Sequence, residues 1–224
     1  MSNLIDMDQK PDGYYSLSRE KILHYIPDNA IRILDIGCGE GNFGGLLKTR
    51  REVEVWGLEL NDAAALKAAE QLDKVICGDI ETDYETLPDN YFDCIVFNDC
   101  LEHLLNPWRI LRQLRAKVAA GGCVVASIPN VRYYRNVKRL LFYKDWKYTD
   151  EGILDKTHLR FFTKKSMKRM FSEAGFQLVR IEGIPGRFRF HVWLLNLLLL
   201  GSMDDMQYLQ FACVARKDGG EPRL

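Results

Sequence analysis

One stretch narrows the choice of fold more than any other: Ile31-Arg-Ile-Leu-Asp-Ile-Gly-Cys-Gly-Glu-Gly-Asn-Phe-Gly-Gly45. Ile31, Ile33, Leu34 and Ile36 form a nearly continuous apolar run, the pattern of a short strand covered on both faces by helices. Gly37, Gly39 and Gly41 then remove every Cβ from a turn, so that its backbone can approach a ligand closely. Asp35 stands where strand gives way to turn. A second apolar run, Val53-Glu-Val-Trp-Gly-Leu-Glu59, also ends in an acid. A carboxylate at that strand tip can accept hydrogen bonds from both hydroxyls of a ribose.

The spacing Asp35-x-Gly37-x-Gly39-x-Gly41 followed by Glu59 resembles the cofactor motifs of the class I S-adenosylmethionine-dependent methyltransferases. The resemblance implies an α/β, Rossmann-like sheet of seven strands, mostly parallel, with helices on both faces and an antiparallel last strand inserted beside the sixth. It implies S-adenosylmethionine as cofactor and S-adenosylhomocysteine as product, bound by Asp35, Gly37, Cys38, Gly39, Gly41, Glu59 and Leu60. Asp79 with Ile80 would take the adenine, Asn98 would close the next strand tip, and Tyr14 and Arg19 would reach the methionine end. Two rival readings stay open. Gly39, Gly41 and Gly44 also spell a literal G-x-G-x-x-G, the sign of an NAD enzyme, although there the first glycine follows the strand directly. A non-catalytic protein of the same fold is the other.

At 224 residues the chain has the length of one domain, 1–224. Lysine plus arginine and aspartate plus glutamate both number 31, so no global field draws it to nucleic acid or an acidic membrane. The six cysteines are scattered in apolar runs without ligand spacing, which reads as a reduced, cytoplasmic protein. An acidic start without an apolar core gives no export signal.

In chain order, a helix over Tyr14–Ile26 within residues 1–28 is expected to cover the cofactor. Helices are expected from Asn42 to Arg50 and from Ala63 to Leu72, the latter capped by Asn61-Asp62. Lys74–Asp79 and Phe92–Phe97 read as the third and fourth strands. Asn106 and Pro107 open a helix with Leu111, Leu114 and Val118 on its inner face, and Gly121-Gly122 is expected to end it. Cys123–Ile128 is the fifth strand. Residues 129–162 break the rhythm and read as a lid or substrate insertion, with a basic, aromatic helix over Val131–Tyr143. Thr163 caps a helix that Gly175 ends, and Phe176–Ile184 and Gln207–Arg216 complete the sheet. The apolar insertion 187–203 is too short and interrupted to span a bilayer. A buried core helix, a homodimer face and peripheral membrane contact through 187–200 are its three open homes.

Asn98-Asp-Cys-Leu-Glu-His103 resembles the rim segment of ubiquinone-biosynthesis O-methyltransferases, where two acids and a histidine can hold a divalent cation. His103 and His158 are the candidate catalytic bases. Direct deprotonation without metal is the preferred mechanism, with a Mg²⁺ on Asp99, Glu102 and His103 as the alternative. Asp155-Lys-Thr-His-Leu-Arg-Phe-Phe-Thr163 looks like a segment found in methyltransferases of bacterial surface-polysaccharide pathways. That likeness implies acceptor contacts from His158 and Arg160, joined by Tyr133 and Tyr134, and O-methylation of a small-molecule or sugar-type acceptor. An RNA substrate is the competing class, because Arg132 to Arg139 interleaves cations with aromatic rings. Zero net charge and Asn98-Asp-Cys-Leu in place of an Asn/Asp-Pro-Pro-aromatic motif argue against it.

Overall fold

The protein is described by a computed structural model covering residues 20–185, 196 and 201–217. Seven strands form one sheet: β1 Arg32–Ile36, β2 Glu54–Glu59, β3 Lys74–Cys77, β4 Phe92–Asn98, β5 Val118–Pro129, β6 Phe176–Pro185 and β7 Tyr208–Lys217. Their order is β3-β2-β1-β4-β5-β7-β6. Strands β1 to β5 pair in parallel, and β7 runs antiparallel to both β5 and β6. The antiparallel last strand therefore lies beside the sixth, as expected.

Alternation along the strands builds two cores. Ile33, Cys94, Val96 and Val125 face one side, against Ile22, Leu23, Phe43, Leu47 and Ala68. These come from α1 Glu20–Leu23 with its flank, α2 Asn42–Arg50 and α3 Asp62–Ala68. Leu34, Ile36, Ile95, Phe97 and Val124 face the other, against α5 Pro107–Leu114 and α7 Lys164–Glu173. A short α4 Ile80–Asp83 follows β3. With both faces covered, the central strands β1, β4 and β5 read as nearly continuous apolar runs.

One expectation fails. The helix opened by Asn106 ends at Leu114, and Val118 begins β5 opposite Phe92 instead of lining the helix. Gly121 and Gly122 do not end a helix but lie inside the strand, where the β4–β5 register jumps from Phe92↔Val118 to Cys94↔Cys123. Gly121 sits at φ 75°, and a Cβ on Gly122 would lie 2.9 Å from the Asp93 carbonyl oxygen. The pair makes a bulge that only glycine fits.

Within 129–162, α6 Tyr134–Phe142 is followed by irregular chain, and Tyr133, Ile153 and Leu154 form a small core of their own. The expected N-terminal helix is described only from Glu20, so Tyr14 and Arg19 lie outside the described residues, as does most of the 187–203 helix. Among the described residues, no helix is long and apolar enough to cross a membrane.

Candidate active site

Tips of β1, β2, β3 and β4 meet at the carboxyl edge of the sheet, where open α/β sheets bind ligands. The glycine turn after β1 is fixed from within. Gly37 and Cys38 donate their N–H groups to the Leu58 carbonyl at 2.8 and 3.3 Å. Gly39 donates to Glu59 Oε2 at 2.8 Å, and Gly41 to the Cys38 carbonyl at 3.0 Å. Three of these amides thus hold the turn against β2, the fourth closes the turn on itself, and none is left to point to a ligand. What the turn offers is a backbone without side chains, at φ 71°, 55° and 83° for Gly37, Gly39 and Gly41. It also offers the start of α2, whose first turn has no side-chain cap and no acid. That end attracts an anion.

Asp35 is 1% exposed and its Oδ1 has no hydrogen-bond partner among the described residues. Burial, and then the Glu59 charge, push its carboxyl up to about 8. Glu59 is 4% exposed and accepts from Gly39 through one oxygen and from the Asn61 N–H through the other, at 2.9 Å. Asn98, on the neighbouring strand β4, has neither side-chain amide atom paired among the described residues. Unsatisfied buried polar atoms cost about 1–3 kcal/mol each unless a ligand meets them. Asp35 and Asn98 therefore suit a polar ligand laid across the strand tips.

The remaining cofactor candidates lie around this edge in different roles. Asp79 caps α4, accepting from Glu81 N–H at 2.8 Å, while Ile80 packs into the core. Leu60 is exposed; Cys38 is buried, and burial pushes its thiol far up.

Beyond β4 the chain forms a 3₁₀ turn, Leu101–His103. Asp99, at φ 50°, accepts from Ser127 Oγ at 2.7 Å and Gln210 Nε2 at 2.8 Å. Asp99 is not part of the donor cluster that the structure assembles. Glu102, His103 and His158 instead bring one donor atom each within 4.8 Å of the others. Among the described residues, the group whose donor atoms lie close enough to share an ion thus has His158 where the sequence suggested Asp99.

Each imidazole is held through its Nδ1. His103 Nδ1 meets the Thr157 carbonyl and Oγ1, both at 3.2 Å, and the Thr157 hydroxyl donates to Asp155 Oδ1 at 2.7 Å. His158 Nδ1 meets the Ile153 carbonyl at 3.0 Å. A carbonyl only accepts, so in each neutral ring Nδ1 carries the proton and Nε2 is the basic nitrogen. His158 Nε2 lies 4.0 Å from Glu102 Oε1, and the two rings stack edge to face at 4.6 Å. Glu102 is 1% exposed, His158 is buried, and His103 is half-buried.

The proposed acceptor contacts divide. Arg160 donates to the Leu159 carbonyl at 3.2 Å and to the Leu105 carbonyl, which ties it to the β4 rim. Tyr133 and Tyr134, with rings 4.8 Å apart, line a cleft of about 570 Å³ with Arg135, Lys138, Arg139 and Lys147. Sequence reasoning missed the supports Asp155 and Thr157. An Asp-x-Thr turn, closed by Thr157 N–H on Asp155 Oδ1 at 2.7 Å, was the available local signal.

The methyltransferase-domain family profile matches residues 10–181. The ubiquinone biosynthesis O-methyltransferase of Aeromonas salmonicida is 30% identical over 199 residues, covering 80% of this chain and 74% of that protein. A S-adenosylmethionine-dependent methyltransferase from Archaeoglobus fulgidus superposes with a TM-score of 0.66 at 23% identity, over 92% of this chain and 97% of that one. The 4+2 cyclase SpnF superposes at 0.64 with 17% identity, covering 90% of this chain and 80% of its own. Likeness at that level shows the fold, and a fold hosts more than one chemistry.

Proposed function

This chain belongs to the methyltransferase-domain family, the class I S-adenosylmethionine-dependent methyltransferases, and from that premise we propose that it methylates a hydroxyl oxygen of a small-molecule or sugar-type acceptor. S-adenosylmethionine supplies a methyl group already activated on a sulfonium. The Cβ-free turn, Glu59, Asp35 and the start of α2 are the residues that would hold it, and the unpaired atoms of Asp35 and Asn98 fit such a polar ligand. The named relative at 30% identity is an O-methyltransferase, which supports oxygen as the accepting atom.

The observation that carries the reading is the His103–His158–Glu102 group at the rim. His103, the more open of the two imidazoles, takes the acceptor's hydroxyl proton at Nε2. The Glu102 carboxylate, deep beneath it, favours the imidazolium so formed. A second reading rests on the same three donors, which fit a divalent cation that would acidify the hydroxyl instead. The cationic, tyrosine-walled cleft supports an acidic or phosphorylated acceptor.

A transfer screen with labelled donor over sugars, quinols and small acids identifies the acceptor. With it in hand, His103→Ala lowers kcat about 10²–10⁴-fold while leaving donor affinity intact. Activity that survives EDTA eliminates the cation. Wild-type turnover in His103→Ala would refute both mechanisms.

A further inference from the structure

The end of α6 is at odds with a freely dissolved surface. Leu140, Leu141, Phe142 and Tyr143 are consecutive and all exposed, Leu141 by 65%, Phe142 by 77% and Tyr143 by 67%. Tyr148 adds a further exposed ring after the helix. Single exposed apolar residues need no explanation, but four in a row at the end of a helix do. The surroundings are as unusual. Between Arg132 and Tyr148 stand six cations (Arg132, Arg135, Lys138, Arg139, Lys144, Lys147) and one acid, Asp145, in a chain whose net charge is zero. Arg139 faces Asp145 at 3.4 Å, and Arg132 faces Asp205 at 3.3 Å. Arg135, Lys138, Lys144 and Lys147 are exposed.

We infer that α6 and the turn after it dock this protein on an anionic lipid bilayer, with Leu141, Phe142 and Tyr143 entering the interface and Arg135, Lys138, Lys144 and Lys147 over the headgroup phosphates. Apolar tip and cationic collar together are the pattern of an interfacial helix: burial of the first supplies adhesion, and the second selects anionic lipid. RNA fits less well. Phe142, Tyr143 and Tyr148 offer rings to bases, but Leu140 and Leu141, exposed beside them, would stay in water on a nucleic acid, whereas a bilayer buries all of them. A second copy of this chain would set the same cationic collar against itself. The contact is made by residues other than the 187–200 stretch considered from sequence; Arg135, Lys138 and Lys147 also line the cleft, so the test is read on vesicle binding and not on turnover.

Co-sedimentation of the full chain with phosphatidylcholine vesicles containing a third phosphatidylglycerol tests it, with pure phosphatidylcholine vesicles and a high-salt wash alongside. Binding is expected to the anionic vesicles only, and to weaken in salt. Leu141→Ser with Phe142→Ser should weaken it on the order of tenfold to a hundredfold, and Lys144→Glu by at least about fivefold. None of the three residues lines the cleft, and all are exposed, so melting temperature and donor affinity should stay at wild-type values. Absence of binding to anionic vesicles overturns the inference. So does vesicle binding that survives the Leu141/Phe142 double substitution, which would place the contact elsewhere. Binding to an RNA oligonucleotide in place of vesicles, or dissociation of a wild-type dimer by the double substitution without vesicle binding, would overturn it equally.

Discussion

Asp35 makes the sharpest quantitative prediction. Its carboxyl rises from an ordinary 3.8 to about 8 in the folded chain, chiefly through burial and secondarily through Glu59. Above the unfolded value the unfolded chain gives up this proton while the folded chain keeps it. Stability therefore falls as pH rises, by about 1.4 kcal/mol per unit, until the folded carboxyl itself ionises near 8. The full penalty is on the order of 5 kcal/mol. Between about pH 6 and pH 8 it amounts to roughly 2–3 kcal/mol, which for a chain of this length is about 5–10 °C in Tm. Asp35→Asn keeps the shape and cannot ionise, so the ligand-free variant should lack this slope. Thermal melts of ligand-free wild type and variant across that pH range isolate it, because the histidines titrate in both. Glu59→Gln removes the second cause and should move the wild-type midpoint downward. Parallel melting curves for wild type and Asp35→Asn would refute the account of a buried, uncompensated acid.

Two further substitutions probe the parts that place the site. Gly41→Ala forces a side chain into φ 83° and sets its Cβ 3.0 Å from the Ala68 backbone. It should cost about 1–3 kcal/mol in urea denaturation and weaken donor binding by calorimetry; an unchanged midpoint would contradict the tight approach of α3 to the turn. Thr163→Ala removes one half of a capping box with Ser166 at the start of α7. A loss of about 1 kcal/mol in the same assay is expected, with turnover unchanged at temperatures where the variant stays folded.

The glycine turn and the acid-tipped strands from which the candidate cofactor site is built were legible because their logic is local. Asp35 and the glycines lie within seven residues, and each later acid closes its own apolar run. A parallel sheet with right-handed crossovers then brings the strand tips together without further information. The arrangement of the rim beyond β4 was not legible in the same way. Whether Asp99 joins His103 or turns aside depends on Ser127 and Gln210, which are 28 and 111 positions away. That His158 meets Glu102 depends on the path of an irregular segment that periodicity does not describe. The Gly121-Gly122 pair failed for another reason. Paired glycines punctuate helices and bulge strands alike, and what decided between them was the closeness of the Asp93 carbonyl, a tertiary fact.

How the segment after β5 is attached to the rim bears on what substitutions there can report. Glu102 accepts the N–H groups of Leu159 and Arg160 on its carbonyl, at 2.9 and 3.0 Å, while its side chain lies toward His158. Thr157 and Ile153 hold the two imidazoles largely through their own main-chain carbonyls. The seam between the 3₁₀ turn and residues 153–160 is thus made in large part by backbone groups, which survive side-chain truncation. His103→Ala removes the ring and its contacts with Thr157 but leaves the Leu159 and Arg160 bonds to the Glu102 carbonyl in place, so an unchanged melting temperature beside lowered turnover separates proton transfer from loss of the seam. Glu102→Gln is the stricter companion. It keeps the backbone bonds and the volume, so turnover that falls while the melting temperature holds traces to the carboxyl group beside His158 and not to the seam, and wild-type turnover in this variant would refute a role for Glu102.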